Sequence, residues 1–278
     1  MSNIDERTVQ GFGEEWIRFN QSHLVPEERC AIFHDYFSLL PSEVLHKEAI
    51  GADIGCGSGR WAACVAPKVG ALWAIDASAG ALQVAERNLR AHSNVQIIQG
   101  DAGRLPLADE SLDFAYSLGV LHHVPDTQAA LVELARKMRD RAPVLLYLYY
   151  NFENRPWYFR AVWRITDLLR RLICRLPRRS RFAACEFLAA VVYWPMARGG
   201  ALAERIKGGA IPHWPLRYYG DKSFYVMRTD ALDRFGTKLE QRFSRQQIIR
   251  MMKAAGFEDV RFSDAQPHWT LTARKTAR

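Results

Sequence analysis

The stretch that decides the fold is Gly51–Ala62, GADIGCGSGRWA, in which a short apolar run ends at Asp53 and glycines follow at positions 55, 57 and 59 before a helical segment. Glycine lets the backbone turn tightly and come close to a ligand, and in open α/β sheets ligands sit at the carboxyl edge, where such a turn lies. Working outward, apolar runs alternate with helical ones. Strands are expected at 49–54, 71–75, 95–99, 112–117 and 144–149, and helices at 60–66, 79–91 and 127–139, each with apolar positions three and four apart. That alternation predicts βαβ units and a doubly wound, mostly parallel sheet of the Rossmann-like kind.

The rhythm returns near the C-terminus. Ser244 and Gln247 form a capping box ahead of IIRMMKAA, Gly256 is placed to stop that helix, and FEDVRF and HWTLTAR read as two further strands. Four segments follow: a helical lead-in over 1–45, with Pro26 suited to a first helical turn; a ligand-binding core over 46–150; a helical insert rich in Arg, Trp and Tyr over 151–236; and a helix and strands over 237–278 that complete the sheet.

The chain has 278 residues, 49% of them hydrophobic, which is enough for a full core and excludes disorder. Thirty-eight Lys and Arg against 30 Asp and Glu leave a net charge of +8, which permits anionic partners without choosing one. Five cysteines with no C-x-x-C pair argue against a disulfide or zinc framework, so no metal is expected and a reducing, cytoplasmic setting is. MSNIDERTVQ lacks the pattern of a secretory signal. The longest apolar run, Phe182–Ala197, contains Glu186 and Pro195 and is too short to span a bilayer.

Carboxylates follow the glycine turn in order. In LWAIDAS, Asp76 ends the second strand 21 residues after Gly55, where it can accept both hydroxyls of a ribose. In IIQGDAGRLPLAD, Asp101 follows the third strand, placed to meet an adenine amino group with the Ala102 N–H near the ring. A dinucleotide enzyme also fits Asp76; the G-x-G-x-G spacing, the preceding Asp53 and the third acid separate the two.

With DIGCGSGR, AIDAS, QGDAGRLPLADESLDFAYS and LGVLHHVPD in order, the chain resembles the class I S-adenosylmethionine-dependent methyltransferases of the small-molecule branch. The resemblance covers about residues 45–150 and 240–278, and GFGEEWIRF and SFYVMRTDALDRFGTKLEQRF look like segments of a bacterial subgroup. It implies a seven-stranded sheet with the last strand antiparallel, and S-adenosylmethionine converted to S-adenosylhomocysteine. By the same resemblance Gly55, Gly57 and Gly59 line the methionine part, Asp53 helps bind its amino group, Asp76 holds the ribose, and Asp101 and Ala102 hold the adenine. Cys56, Ala77 and Ser117 adjoin these positions and are counted with the cofactor site.

The acceptor is expected to be a small molecule, lipid-linked or sugar-like in one reading, methylated on O, C, N or S. SLGVLHH lacks the Pro-Pro-Tyr/Phe element of amino-methylating DNA enzymes, and there is no Pro-Cys nucleophile for cytosine C5, so nucleic acid is not the expected substrate. His122 and His123 follow the fourth strand and are candidate bases, against the alternative that they pack the loop. Trp16 and Tyr147 are candidate walls, with Phe12 and Tyr116, since a sulfonium favours aromatic faces; Tyr218, Tyr219, Tyr225 and Arg228 are candidate acceptor contacts, near His213.

The insert holds nine arginines and a single acid, Asp167, over 155–181. Arg160, Arg164, Asp167, Arg171, Arg175 and Arg178 fall on one helix face, with Phe159, Val162, Ile165, Leu169 and Leu172 on the other. Three uses of such a helix are open: a lid whose apolar face closes the acceptor site, peripheral contact with the inner membrane surface, and a groove for an anionic polymer. The first is preferred, since inserts at this point build acceptor sites in the family. The competing function is a membrane-associated cofactor-binding module without turnover.

Overall fold

A computed structural model describes residues 2–211, 214–264 and 269–277 of the chain; His213 lies outside them. The chain divides into two compact units. Unit 1 comprises Met1–Gln21, Arg29–Asn151 and Leu239–Arg278, and unit 2 comprises Ser22–Glu28 and Phe152–Lys238. The lead-in expected over 1–45 is therefore shared between the units.

Unit 1 holds helices α1 (Glu6–Arg18) and most of α2 (Pro26–Phe37), then β1 (Ile50–Ile54), α3 (Ala62–Val65), β2 (Ala71–Asp76), α4 (Ala79–Leu89), β3 (Val95–Gln99), β4 (Phe114–Leu118), α5 (Thr127–Lys137) and β5 (Pro143–Tyr147). The seven strands, completed by β6 (Phe257–Phe262) and β7 (Thr270–Lys275), run in the order β3-β2-β1-β4-β5-β7-β6. β1 to β5 pair in parallel, and β7 is antiparallel to both neighbours. The order reverses between β1 and β4, which is where such sheets bind ligands.

The central strands β1, β4 and β5 are buried on both faces, as a covered parallel sheet requires, while the edge strands β3 and β6 are only partly buried. Leu72, Ile75, Phe114, Leu145 and Leu146 are fully buried, each worth about 1.5–3 kcal/mol of apolar burial. β4 begins at Phe114, two residues later than expected: Leu112 bridges to Met138, and the Asp113 carboxylate accepts from the Ile50 N–H at 2.8 Å, so both are used at the strand entrance. The Ser244–Gln247 capping box opens α10 (Arg245–Ala254), and Gly256 follows in the left-handed region at φ 88°.

Unit 2 is helical: α6 (Trp157–Ile173), α7 (Arg178–Leu188), a π-helical turn at Ala189–Tyr193, α8 (Trp194–Lys207) and α9 (Phe224–Gly236). Buried Arg170 holds it together, bonding Asp167 through Nε and the carbonyls of Thr237 and Lys238 through Nη1, all at 2.8 Å. The apolar residues Val162, Ile165, Leu169 and Leu172 are exposed, as are Trp157 and Leu168; the face that turns in carries Asp167, Arg170 and Ile173. Among the described residues, no helix is long and apolar enough to cross a membrane.

Candidate cofactor and acceptor site

Parallel register sets the carboxylates side by side. Asp53 lies opposite Ala74 on β2 and Tyr116 on β4, and Asp76 lies opposite Gln99, two residues before Asp101. The turn after β1 needs positive φ at Gly55 (77°) and Gly57 (54°). Close approach matters as much: a Cβ on Gly57 would stand 2.7 Å from the Trp16 indole, and one on Gly55 would stand 2.4 Å from Val120. The Gly57 N–H donates to Asp76 Oδ2 at 2.9 Å and the Ser78 N–H to Oδ1 at 2.8 Å, so the second carboxylate fixes the glycine turn.

A cavity of about 110 Å³ opens at this edge. Gly55, Asp76, Ala77, Asp101 and Ala102 line it from the strand ends, Phe12 and Trp16 from α1, and His123 from the loop after β4. Each Asp76 oxygen accepts a single backbone bond and retains acceptor capacity, which suits a vicinal diol. Asp53 lies just behind, 2% exposed, and burial, with the charge of Asp76, pushes its carboxyl up to about 8. The Tyr116 hydroxyl, buried opposite it on β4, donates a hydrogen bond to this carboxyl and offsets part of the rise. A buried carboxyl beside the glycine turn suits a cationic amino group.

One wall of the cavity comes from residues that carry no motif. Asn3 is buried, its amide pairing with Asp126 in both directions at 2.7 Å, while its backbone N–H donates to Asp101 Oδ2 at 2.8 Å. Ile4, Asp5 and Thr8 continue that wall into α1, which Asp5 caps by accepting from the Thr8 N–H. A lone Asn in a polar leader carries no pattern that marks it as a strap.

The two histidines separate. The His123 Nδ1 stands 2.6 Å from the Leu239 carbonyl, and since a carbonyl only accepts, Nδ1 carries the proton and Nε2 is the basic nitrogen. His122 is fully buried behind it, stacked on Tyr149 at 3.8 Å, with no partner on either nitrogen. Burial, then the charges of His123 and Arg242, hold its imidazole neutral.

Other expected residues lie elsewhere. The Ser117 hydroxyl donates to the Ile54 carbonyl at 2.8 Å, clipping β4 to β1, and Leu118 faces the cavity in its place. The Cys56 thiol is buried and held protonated by burial. Gly59, at φ 73°, packs on Leu89 of α4. Tyr147 ends β5 beside the cavity residue Gly119, with its ring edge on His122. Tyr116 is a core residue between Phe37 and Phe114.

In unit 2, Tyr219 donates to Asp230 at 2.8 Å, and Tyr218 stacks edge-on against it. Arg228 grips Glu186 with two bonds of 2.5 and 2.6 Å, and the Tyr225 ring meets His23. Arg228 was expected to meet an acidic acceptor; here a carboxylate of its own unit already takes that role. Among the described residues, no cluster of His, Cys, Asp and Glu is arranged to hold a metal.

A family profile described as a methyltransferase domain matches residues 52–146, the segment that supplies the glycine turn, both cavity carboxylates and His123. That segment is similar to a methyltransferase domain, and the seven-stranded sheet around it has the class I fold. Its curated relatives include a demethylmenaquinone methyltransferase of Bacillus licheniformis, 30% identical over 102 residues (36% of this chain, 44% of the relative), and one of Staphylococcus aureus, 33% identical over 96 residues (34% and 40%). The chain thus spans under half the length of these relatives. The methyltransferase fold extends further than the matched segment: a candidate S-adenosylmethionine-dependent methyltransferase of Methanococcus maripaludis superposes with TM-score 0.54 at 14% identity, covering 100% of this chain and 98% of that one. A candidate methyltransferase of Bacillus halodurans gives 0.51 at 15% identity, covering 84% and 95%.

Proposed function

We propose that this chain moves the methyl group of S-adenosylmethionine to a small-molecule acceptor, with His123 as the base. The observation that carries the reading is one cavity that joins the Asp76 and Asp101 carboxylates to the His123 imidazole. Asp76 would hold the ribose, Asp101 and the Ala102 N–H the adenine, and Asp53 the amino group beside the turn at Gly55 and Gly57. When bound, the cofactor supplies an electrophilic methyl on a cationic sulfur.

The residues then have two tasks. The strand-end carboxylates and the aromatic wall of Phe12 and Trp16 fix the direction of approach, and good alignment is worth about 7–11 kcal/mol of barrier. His123 Nε2, held basic by the Nδ1–H bond to Leu239, takes the proton of a hydroxyl acceptor, a gain of about 10²–10⁴ in rate. A lipid-linked or sugar-like acceptor fits this reading, as does work at a membrane surface, and demethylmenaquinone, which names the relatives above, belongs in the first acceptor panel.

Calorimetric titration with S-adenosylmethionine, S-adenosylhomocysteine and NADH tests the cofactor directly. Micromolar binding of the first two with none of the third is expected; binding of NADH alone, or of none, refutes it. Incubation with methyl-labelled cofactor and a metabolite extract tests turnover, since a binding module without catalysis releases no S-adenosylhomocysteine.

A further inference from the structure

The exposed face of α6 is the largest feature that methyl transfer leaves unexplained. At about 100° per residue, its side chains sort into three sectors around the axis. One turns inward with Asp167, Arg170 and Ile173. The second, about 140° wide, carries Trp157, Tyr158, Val162, Ile165, Leu168 and Leu172, all exposed, with Trp157 at 74%, Ile165 at 71% and Leu168 at 62%. Beside it the third sector sets Arg160, Arg164 and Arg171, with Arg175 just beyond the helix end, and these too are exposed. A solvated helix puts charge on its outer face; this one puts its apolar stripe there.

Charge points the same way. Unit 2 contains 17 Lys and Arg against nine Asp and Glu, whereas unit 1 has 21 of each, so the whole net charge of +8 lies in the helical unit. At 17 residues α6 is about 25 Å long, and it does not qualify as a spanning helix. An in-plane apolar stripe that includes Trp and Tyr, bordered by arginines, is the form that sinks into the headgroup boundary of a bilayer. Arginine pairs with phosphate in a bidentate manner, and its apolar neighbours displace water from the acyl boundary.

We propose that unit 2 docks on an anionic phospholipid surface through α6, with Trp157, Ile165, Leu168 and Leu172 entering the boundary and Arg160, Arg164 and Arg175 meeting lipid phosphates. The inference extends the proposed function by naming a partner; it stands on unit 2 alone, so vesicle binding and cofactor binding are read separately.

The test is flotation of the full chain with vesicles of phosphatidylcholine alone and of phosphatidylcholine with phosphatidylglycerol at about physiological ionic strength, alongside light scattering for mass in solution. Binding to the anionic vesicles is expected, and weak binding to the neutral ones. Replacing Arg160, Arg164 and Arg175 by Gln lowers the partition coefficient about fivefold per arginine, roughly 100-fold together. Ile165→Asn with Leu168→Asn removes binding at least tenfold while the arginines remain. All substituted side chains are exposed, and an unchanged circular dichroism spectrum and S-adenosylmethionine affinity show the fold intact. Three results overturn the proposal: no binding to anionic vesicles; binding that survives Ile165→Asn with Leu168→Asn, which marks a general polyanion patch; or a stable dimer dissociated by that pair, which makes the face an interface between copies.

Discussion

Asp53→Asn separates a carboxyl that meets the cofactor's amino group from one that only packs beneath the glycine turn. With its carboxyl pushed up to about 8 by burial, Asp53 is largely protonated at pH 6 and half ionised near pH 8. Binding an ammonium group there needs the ionised form, so a proton must leave. Affinity should rise about eightfold from pH 6 to 7 and about 20-fold from 6 to 8, the loss of the proton from an α-amino group near 7.7–8.0 already limiting the second step, and then fall. In Asp53→Asn the rising limb disappears, and at pH 8 affinity drops by the worth of a charge-assisted bond, about 1.5–3 kcal/mol. Titrations from pH 6 to 9 in buffers of different ionisation enthalpy read both the constant and the proton count, close to one released at pH 6.5. The ligand-free protein provides the second half of the argument. A carboxyl raised in the folded state binds more protons folded than unfolded between about 4 and 8, so its contribution to stability is lost as pH rises through that window, and Asp53→Asn should flatten the fall in melting temperature. A flat affinity profile with no proton release in the native protein would refute the reasoning.

Asp76→Ala removes the acceptor for a ribose and the bonds that hold Gly57 and Ser78, so cofactor affinity should fall at least tenfold by calorimetry; unchanged affinity would sink the ribose assignment. Gly57→Ala drives a Cβ to 2.7 Å from the Trp16 ring at a φ of 54°, and should weaken cofactor binding, with part of the loss restored by adding Trp16→Ala, which clears the clash and leaves the strained φ. His123→Gln should lower kcat about 10²–10⁴-fold for a hydroxyl acceptor at nearly constant cofactor affinity, whereas His122→Gln, deep behind the wall, should show in melting temperature first. Asn3→Ala breaks both bonds to Asp126 and loosens the strap, so S-adenosylhomocysteine should dissociate faster in stopped flow; an unchanged off-rate would mean that the strap does not cover the site.

The sheet was legible because its signals are local. A strand buried on both faces must be apolar throughout, a turn that brings backbone to a ligand must be glycine, and both stand in consecutive residues around Asp53. The placement of Asp76 and Asp101 was legible for the same reason, the first closing β2 and the second lying two residues past the end of β3. The bond that Ser117 makes was not: the sequence puts it at a strand end, but a buried hydroxyl needs an acceptor, and the neighbouring β1 offers the Ile54 carbonyl at 2.8 Å. The His122–His123 pair shows the same limit. Two adjacent, identical residues differ only through a partner 116 positions on, the Leu239 carbonyl, which fixes the tautomer of one of them.

The insert marks where periodicity stops informing. Spacing shows that α6 has an apolar stripe and a basic one, and it cannot show which of them turns inward. Burial of Arg170, closed by Asp167 and two backbone carbonyls, rotates the helix so that neither stripe is spent on the interior. A buried guanidinium with its donors this well used is costly to replace by anything smaller, since Arg170→Ala would leave the Asp167 carboxylate and two carbonyls short of a donor. The orientation that leaves Ile165 and Leu168 in water is thus held by a polar lock on the opposite side. A sequence keeps such an exposed stripe against the apolar penalty when something other than water covers it, and the arginine row beside it gives that cover its sign.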